Sequence, residues 1–234
     1  MTADLLVIVP TRGRPQNAQA FYDAWAANTA NADLLFVVDE DDPLLSTYKY
    51  RMQWMGGPGV RLAVCPAGLR LVGALNWAAV RSASEYKYLG FMGDDHRCRS
   101  PKWDVALTNC LGPVGISYGN DLLQGEAMPT AVIMTANIVE ALGYMAPPAM
   151  QHLCVDLVWK DWADALNCRV YLESVIIEHM HPANGKAITD TGYQLANSPT
   201  QVKRDADAYY TYKEGDFFDD VKRLQELLPQ ESPA

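Results

Sequence analysis

A chain of 234 residues with 20% charged residues and a formal net charge of -9 has the length of one large domain and the wrong sign for a surface that tracks nucleic-acid phosphates. With 49% hydrophobic residues it can bury a core of its own, and it contains no apolar run of about 18 residues of the kind that spans a membrane. Its five cysteines, Cys65, Cys98, Cys110, Cys154 and Cys168, form no C-x-x-C pair and are odd in number, which predicts free thiols and a reducing, cytoplasmic setting.

The opening MTADLLVIVPTRGRP has neither a charged leader nor a cleavage site; LLVIV (5–9) predicts instead a first core strand covered on both faces. PQNAQAFYDAWAAN (15–28) predicts a helix with Phe21 and Trp25 on its apolar side. LLFVV (34–38) is the second strand. PLLSTYKYRMQWM (43–55) is a second helix with Pro43 in its first turn, broken by Gly56-Gly57-Pro58-Gly59. VRLAVC (60–65), LRLVGALNWAAVRSASE (69–85) and YKYLGFM (86–92) continue as strand, helix and strand. Strands interleaved with helices predict an α/β fold, a mostly parallel sheet flanked by helices. Farther on, VGISYG (114–119) and AVIMT (131–135) predict strands and ANIVEALGYM a short helix. QHLCVDLVWKDWADALN (151–167) predicts a long amphipathic helix, and RVYLESVIIEHMH (169–181) a strand or strand pair. The polar stretch 183–200 predicts a loop, and 201–228 a charged helical segment.

In an open parallel sheet, ligands collect beyond the carboxyl ends of the strands. Four such ends carry chemistry here: Pro10-Thr11-Arg12-Gly13-Arg14-Pro15, Asp39 to Asp42, Asp94-Asp95-His96, and Glu178 to His181. Adjacent carboxylates raise each other's pKa unless a cation offsets their repulsion, so Asp94-Asp95-His96 is either a divalent-cation corner or a solvated Gly-Asp-Asp turn. His179 and His181, two apart on a strand, share a side, and one of them can complete a metal site. In PTRGRP the backbone N–H groups and the guanidinium of Arg12 or Arg14 can hold phosphate oxygens, although the loop also reads as a stiff strand-to-helix turn. Neither a Walker loop nor a G-x-G-x-x-G motif occurs. Asp39 can accept from a base N–H or a ribose hydroxyl, or belong to an acid cluster at a helix start. Asn76, polar in an apolar helix, either reaches a nucleobase or lies exposed.

Five pieces in this order resemble nucleotide-sugar glycosyltransferases of the GT-A type, near family 2 and its relatives in actinobacteria and phages. They are VIVPTRGRP, FVVDEDDP, LVGALNWAA, YLGFMGDDHRCRSPKWD, and VDLVWKDW with VIIEHMHP, together spanning residues 7–182. The resemblance implies a GT-A, Rossmann-like sheet with a mixed C-terminal acceptor-side part. It implies one catalytic domain at 1–182, with a nucleotide half at 1–96 and an acceptor half at 97–182, then a flexible loop and helical segment at 183–234. By resemblance, Pro10, Thr11 and Arg14 line the nucleotide pocket, Asp39 contacts the base, Asn76 sits near base and phosphates, and Asp94 touches the ribose. Asp95 or His96 holds the metal, in a DxD position whose second acid is replaced by histidine. His181 matches a late metal-ligating histidine, and Asp156 matches the catalytic base, with Asp161 and Asp164 on the same predicted helix. The implied cofactor is manganese or magnesium. The implied partners are a UDP- or GDP-sugar and an acceptor glycan, protein or small molecule, and a phage origin would place the reaction in the host cytoplasm.

The chemistry expected of such a site agrees with the residue types. A metal neutralises the leaving diphosphate, a carboxylate takes the acceptor proton, and alignment in a site that restricts water favours transfer over hydrolysis. The stretch 183–200 is expected to fold over the donor as a lid and bring Lys186 or Lys203 toward the diphosphate. Trp103 is expected either to stack on a sugar or to lie in the core. A helix carboxylate suits direct displacement with inversion. A nucleotidyltransferase and a non-catalytic nucleotide or carbohydrate binder are the alternatives.

Overall fold

The structure, a computed structural model, describes residues 3–229; the first two residues of the expected domain and residues 230–234 of the expected tail lie outside it. β1 (Leu5–Pro10) sends Leu6 and Ile8 into one apolar layer and Leu5, Val7 and Val9 into the other, as a strand covered on both faces must. α1 (Pro15–Asn28) follows with Pro15 at its start, and then β2 (Ala32–Asp39), α2 (Leu45–Met55), β3 (Val60–Cys65) and α3 (Arg70–Ser82). β4 (Tyr88–Phe91) delivers the acidic tip, and β5 (His96–Cys98) leaves it. α4 (Trp103–Asn109), β6 (Ile116–Asn120), β7 (Val132–Thr135) and α5 (Ala136–Leu142) come next. The chain then runs through α6 (Val155–Ala165), β8 (Arg169–His179), α7 (Thr191–Ala196), α8 (Pro199–Glu214) and α9 (Asp216–Gln225).

Among the described residues eight strands form one sheet in the order β3-β2-β1-β4-β7-β6-β8-β5. β3, β2, β1 and β4 are mutually parallel. β7 is antiparallel to both β4 and β6, β6 is parallel to β8, and β5 is antiparallel to β8. The parallel portion is the first half of the chain and the mixed portion the second. α1, α2 and α4 cover one face; α3, α5 and α6 cover the other, joined there by Tyr212 of α8 and by Phe217 and Leu224 of α9.

Three departures from the sequence reading have local causes. The helix expected over 151–167 begins only at Val155, because Cys154 takes a left-handed φ of 66° and residues 151–153 bend to meet Asp205. The expected 201–228 segment is two helices, broken at Gly215, and the expected 183–200 loop contains α7. The 169–181 stretch is one strand with two partners: its first part pairs with β6, its last with β5, and the register shifts between Gly119 and Asn120. The shift needs glycine, since a Cβ on Gly119 would meet the Val175 carbonyl oxygen at 2.3 Å. Trp103 is buried and donates to Thr29 Oγ1 at 3.0 Å, so it is a core residue. All five cysteines are free thiols. Among the described residues no helix is long and apolar enough to cross a membrane.

Candidate active site

The loop after β1 is tied to its neighbours by its own backbone. Thr11 N donates to Val37 O at 2.9 Å, Gly13 N to Asp42 Oδ2 at 2.7 Å, and Arg14 N to Tyr48 Oη at 2.8 Å. Gly13 sits at φ +69°, which an L side chain resists. Thr11 Oγ1 donates to Asp94 Oδ2 at 2.6 Å, so the Tyr48 hydroxyl, 2.9 Å away, donates to Thr11. Protons therefore point one way along Arg14 N, Tyr48, Thr11 and Asp94, and the buried carboxylate at the end is satisfied. Arg12 turns the other way: its Nη1 lies 2.7 Å from Asp39 Oδ2 and 2.6 Å from Asp41 Oδ1, which keeps the guanidinium firmly protonated. Asp39 also accepts from Cys65 Sγ at 3.2 Å, and burial together with that carboxylate pushes the thiol up to about 12. Pro10 closes β1 beside Thr11.

At the tip, the two adjacent carboxylates settle their repulsion by behaving differently. Burial, reinforced by Asp95, raises Asp94, against the pull of Thr11 and of Arg14 Nη1 at 3.6 Å. Asp95 is also penalised by burial, yet His179, His96 and Arg14 outweigh this and hold it below the usual carboxylate range.

The second wall comes from β8. The pairing of β5 with β8 sets His96 directly opposite His179, and their rings stack at 4.3 Å and 20°. Backbone bonds finish the corner: Met180 N donates to Asp95 O and His179 N to Asp121 O, both at 2.9 Å. The ligand atoms of Asp95, His96 and His179 all lie within 4.8 Å of one another. His96 is 2% exposed; burial pushes it down to about 3, so it is neutral, and its Nδ1 accepts from Gly93 N at 3.0 Å. Burial also lowers His179, but the carboxylates of Asp121 and Asp95 prevail and raise it to about 9.

His181 stands beside this trio. Its ring is 5.0 Å from that of His179, and its Nδ1 accepts from Ala183 N at 3.1 Å, capping a 3-10 turn at Pro182–Asn184. The next segment crosses to the first loop, where Arg14 Nη2 donates to Asp190 Oδ1 at 2.5 Å while that carboxylate caps α7 through Tyr193 N. Lys186 is paired with Glu178 at 2.6 Å and Lys203 with Asp207 at 2.5 Å, so each ammonium is held by a carboxylate of its own. Asn76 spends its amide on the chain: Nδ2 donates to Ala146 O at 2.7 Å, and Oδ1 accepts from Met145 N and Ala146 N at 2.9 and 3.0 Å.

Asp156 lies in the first turn of α6. Burial raises its pKa, and among the described residues it makes no ion pair. Asp161 is taken by Tyr209 and Lys213, and Asp164 by Arg169. Sequence reasoning missed Tyr48, Asp121, Asp190 and Asp205. Asp205, 0% exposed on α8, accepts from the backbone N–H groups of Gln151, His152 and Leu153 and so fixes the approach to Asp156. The Asn120-Asp121 pair at a strand end was the one visible signal for Asp121.

No protein-family model and no curated protein matches the sequence. Among solved structures, the mannosyltransferase PcManGT from Pyrobaculum calidifontis, in complex with GDP-Man and Mn2+, superposes with a TM-score of 0.60 at 12% identity, covering 97% of this chain and 85% of that one. S. aureus TarS 1-349 in complex with UDP gives 0.57 at 11% identity over 97% and 90%. Glucosyl-3-phosphoglycerate synthase from Mycobacterium tuberculosis, in complex with Mn2+, UDP-Glc and phosphoglyceric acid, gives 0.57 at 11% over 87% and 80%. This chain spans 50% of a longer TarS chain. The likeness is one of fold, and the fold is the Rossmann-like GT-A arrangement.

Proposed function

We propose that this chain is a metal-dependent glycosyltransferase that moves a sugar from a nucleoside-diphosphate sugar to an acceptor hydroxyl, with inversion. The observation that carries the reading is the Asp95, His96 and His179 corner at the carboxyl edge of a GT-A sheet, facing the Thr11 and Arg14 loop. One carboxylate and two imidazoles form a mixed oxygen and nitrogen donor set, His179 turning Nε2 toward Asp95 Oδ2 at 3.6 Å. Such a set fits manganese better than magnesium, which prefers oxygen ligands throughout. Asp95 and His179 would hold the ion, His96 joining through Nδ1 in exchange for its bond from Gly93 N, with His181 adjacent; once bound, the ion supplies Lewis-acid neutralisation of the leaving diphosphate.

The remaining work belongs to the chain. Arg14, balanced between Asp94 and Asp190, is the guanidinium placed to exchange a carboxylate for phosphate oxygens. Thr11 and Asp94 face the ribose, and Pro10, Arg12 and Asp39 form the base-side wall, with Asn76 supporting the loop at Met145 and Ala146 from below. Asp156 takes the acceptor proton as the acceptor oxygen bonds to the anomeric carbon and the sugar–phosphate bond breaks, releasing the nucleoside diphosphate. Its burial-raised pKa strengthens it as a base. The ligands bound in the structural neighbours, GDP-Man and UDP, make UDP- and GDP-sugars the first donors to try. The test is release of nucleoside diphosphate from a panel of these sugars with manganese. Absence of both release and nucleoside-diphosphate binding across the panel would sink the reading.

A further inference from the structure

His179 turns its two ring nitrogens toward two different carboxylates. Nε2 lies 3.6 Å from Asp95 Oδ2, inside the metal corner, and Nδ1 lies 3.9 Å from Asp121 Oδ2 on the far side. That Nδ1 is buried and has no hydrogen-bond partner, an arrangement that calls for an explanation. The other rings against His179 are those of His96 at 4.3 Å and His181 at 5.0 Å, and neither supplies Nδ1 with a bond.

Asp121 is 2% exposed and held on every side. Its Oδ1 accepts from Leu123 N, Gln124 N and Gly125 N at 2.9, 2.7 and 2.9 Å, and its Oδ2 from Thr130 Oγ1 at 2.8 Å. To bring those N–H groups to one oxygen, the turn places Leu122 and Gly125 in the left-handed region, at φ 57° and 56°. Glycine accepts this freely, but leucine does not. The backbones of the two residues are joined as well, His179 N donating to Asp121 O at 2.9 Å. The carboxylate cannot swing away and the imidazole cannot retreat from it. Thr130 extends the same outer layer to the second imidazole, its Oγ1 lying 3.5 Å from His96 Nε2.

Resting on the reading of Asp95 and His179 as metal ligands, we propose that Asp121 is the positioning residue of the metal corner: rotation of the His179 ring closes the 3.9 Å gap, Nδ1–H donates to Asp121 Oδ2, and the imidazole lone pair is kept on Nε2, facing Asp95. A carboxylate held by this many donors has no freedom to act elsewhere, and its Oδ2 stands 3.9 Å from the unpartnered nitrogen.

The test is a manganese titration of the whole chain with a nucleoside diphosphate present, followed by the electron paramagnetic resonance of free Mn2+. Asp121→Asn keeps a carbonyl oxygen for the turn and removes the charge facing Nδ1; manganese affinity should fall about 10- to 100-fold. Half-saturating manganese in the diphosphate-release assay should move by the same factor, while kcat at saturating manganese stays within about twofold, a split that general loss of structure would not give. Thr130→Val spares the turn and removes one donor to Oδ2, and should weaken manganese by a smaller factor. Unchanged affinity in Asp121→Asn overturns the inference; if that variant does not fold, unchanged affinity in Thr130→Val does. An unaltered protein that binds no manganese overturns the reading of the site, and the inference with it.

Discussion

The two walls of the site are built by different means. On the nucleotide side, each working residue directly follows a parallel strand: Thr11 and Arg14 follow β1, Asp39 ends β2, and Asp94 follows β4. On the metal side, the partner of His96 is set by the antiparallel register of β5 on β8, and Asp121 arrives from the end of β6. A strand end can be read locally, whereas a register is a long-range fact. The first wall is therefore a property of short segments and the second a property of the assembled sheet.

Substitutions can separate the two walls from each other and from the acceptor side. The largest expected effect is that of Asp156→Asn, which should lower kcat by about 10²- to 10⁴-fold through loss of the base while nucleoside-diphosphate binding, measured calorimetrically, is unchanged. Loss of that binding would show that α6 is not separable from the nucleotide wall. Next, His179→Ala should weaken manganese by at least about a hundredfold, the upper end of what outer-layer changes cost, and His181→Ala by far less. The reverse order would move the ligand from the register pair to the 3-10 cap. Thr11→Val should lower stability by roughly 1–3 kcal/mol in denaturant unfolding, because Asp94 and Tyr48 lose a buried partner. It should leave manganese affinity in place if the walls are independent.

The smallest effect is on pH. His179 is raised from its ordinary 6.5 to about 9 in the metal-free protein. Its attraction to Asp95 and Asp121 is therefore fully present below pH 6.5 and is lost as pH rises through about 9. The metal-free melting temperature should fall across that window, and the fall should vanish in His179→Ala.

The same contrast governs what could be read beforehand. The alternating strands and helices up to β4 were legible because continuous apolar runs mark strands covered on both faces. The acidic tip stood out because two carboxylates end such a run, but the residues alone left a cation corner and a solvated turn both open. β5 was not, since three residues, His96–Cys98, show no period. The roles of the late histidines stayed open because the strand's end, which fixes whether period two still applies at 181, falls at His179. Asn76 stood out as a polar residue in an apolar helix, but sequence alone did not show that its amide serves the Met145 and Ala146 backbone. Asp205 and Asp190 sit in polar text where no local pattern separates a buried anchor from a solvated acid.

The register shift at Gly119 and Val175 has one more consequence, for heredity rather than chemistry. From Val175 onward each side chain's facing is counted by position, with Val175, Ile177 and His179 sharing a side. A single-codon insertion or deletion between that kink and His179 would turn the imidazole outward while leaving every residue type intact. In descendants of this gene, the length of that short span should be guarded more strictly than the spelling of its apolar letters.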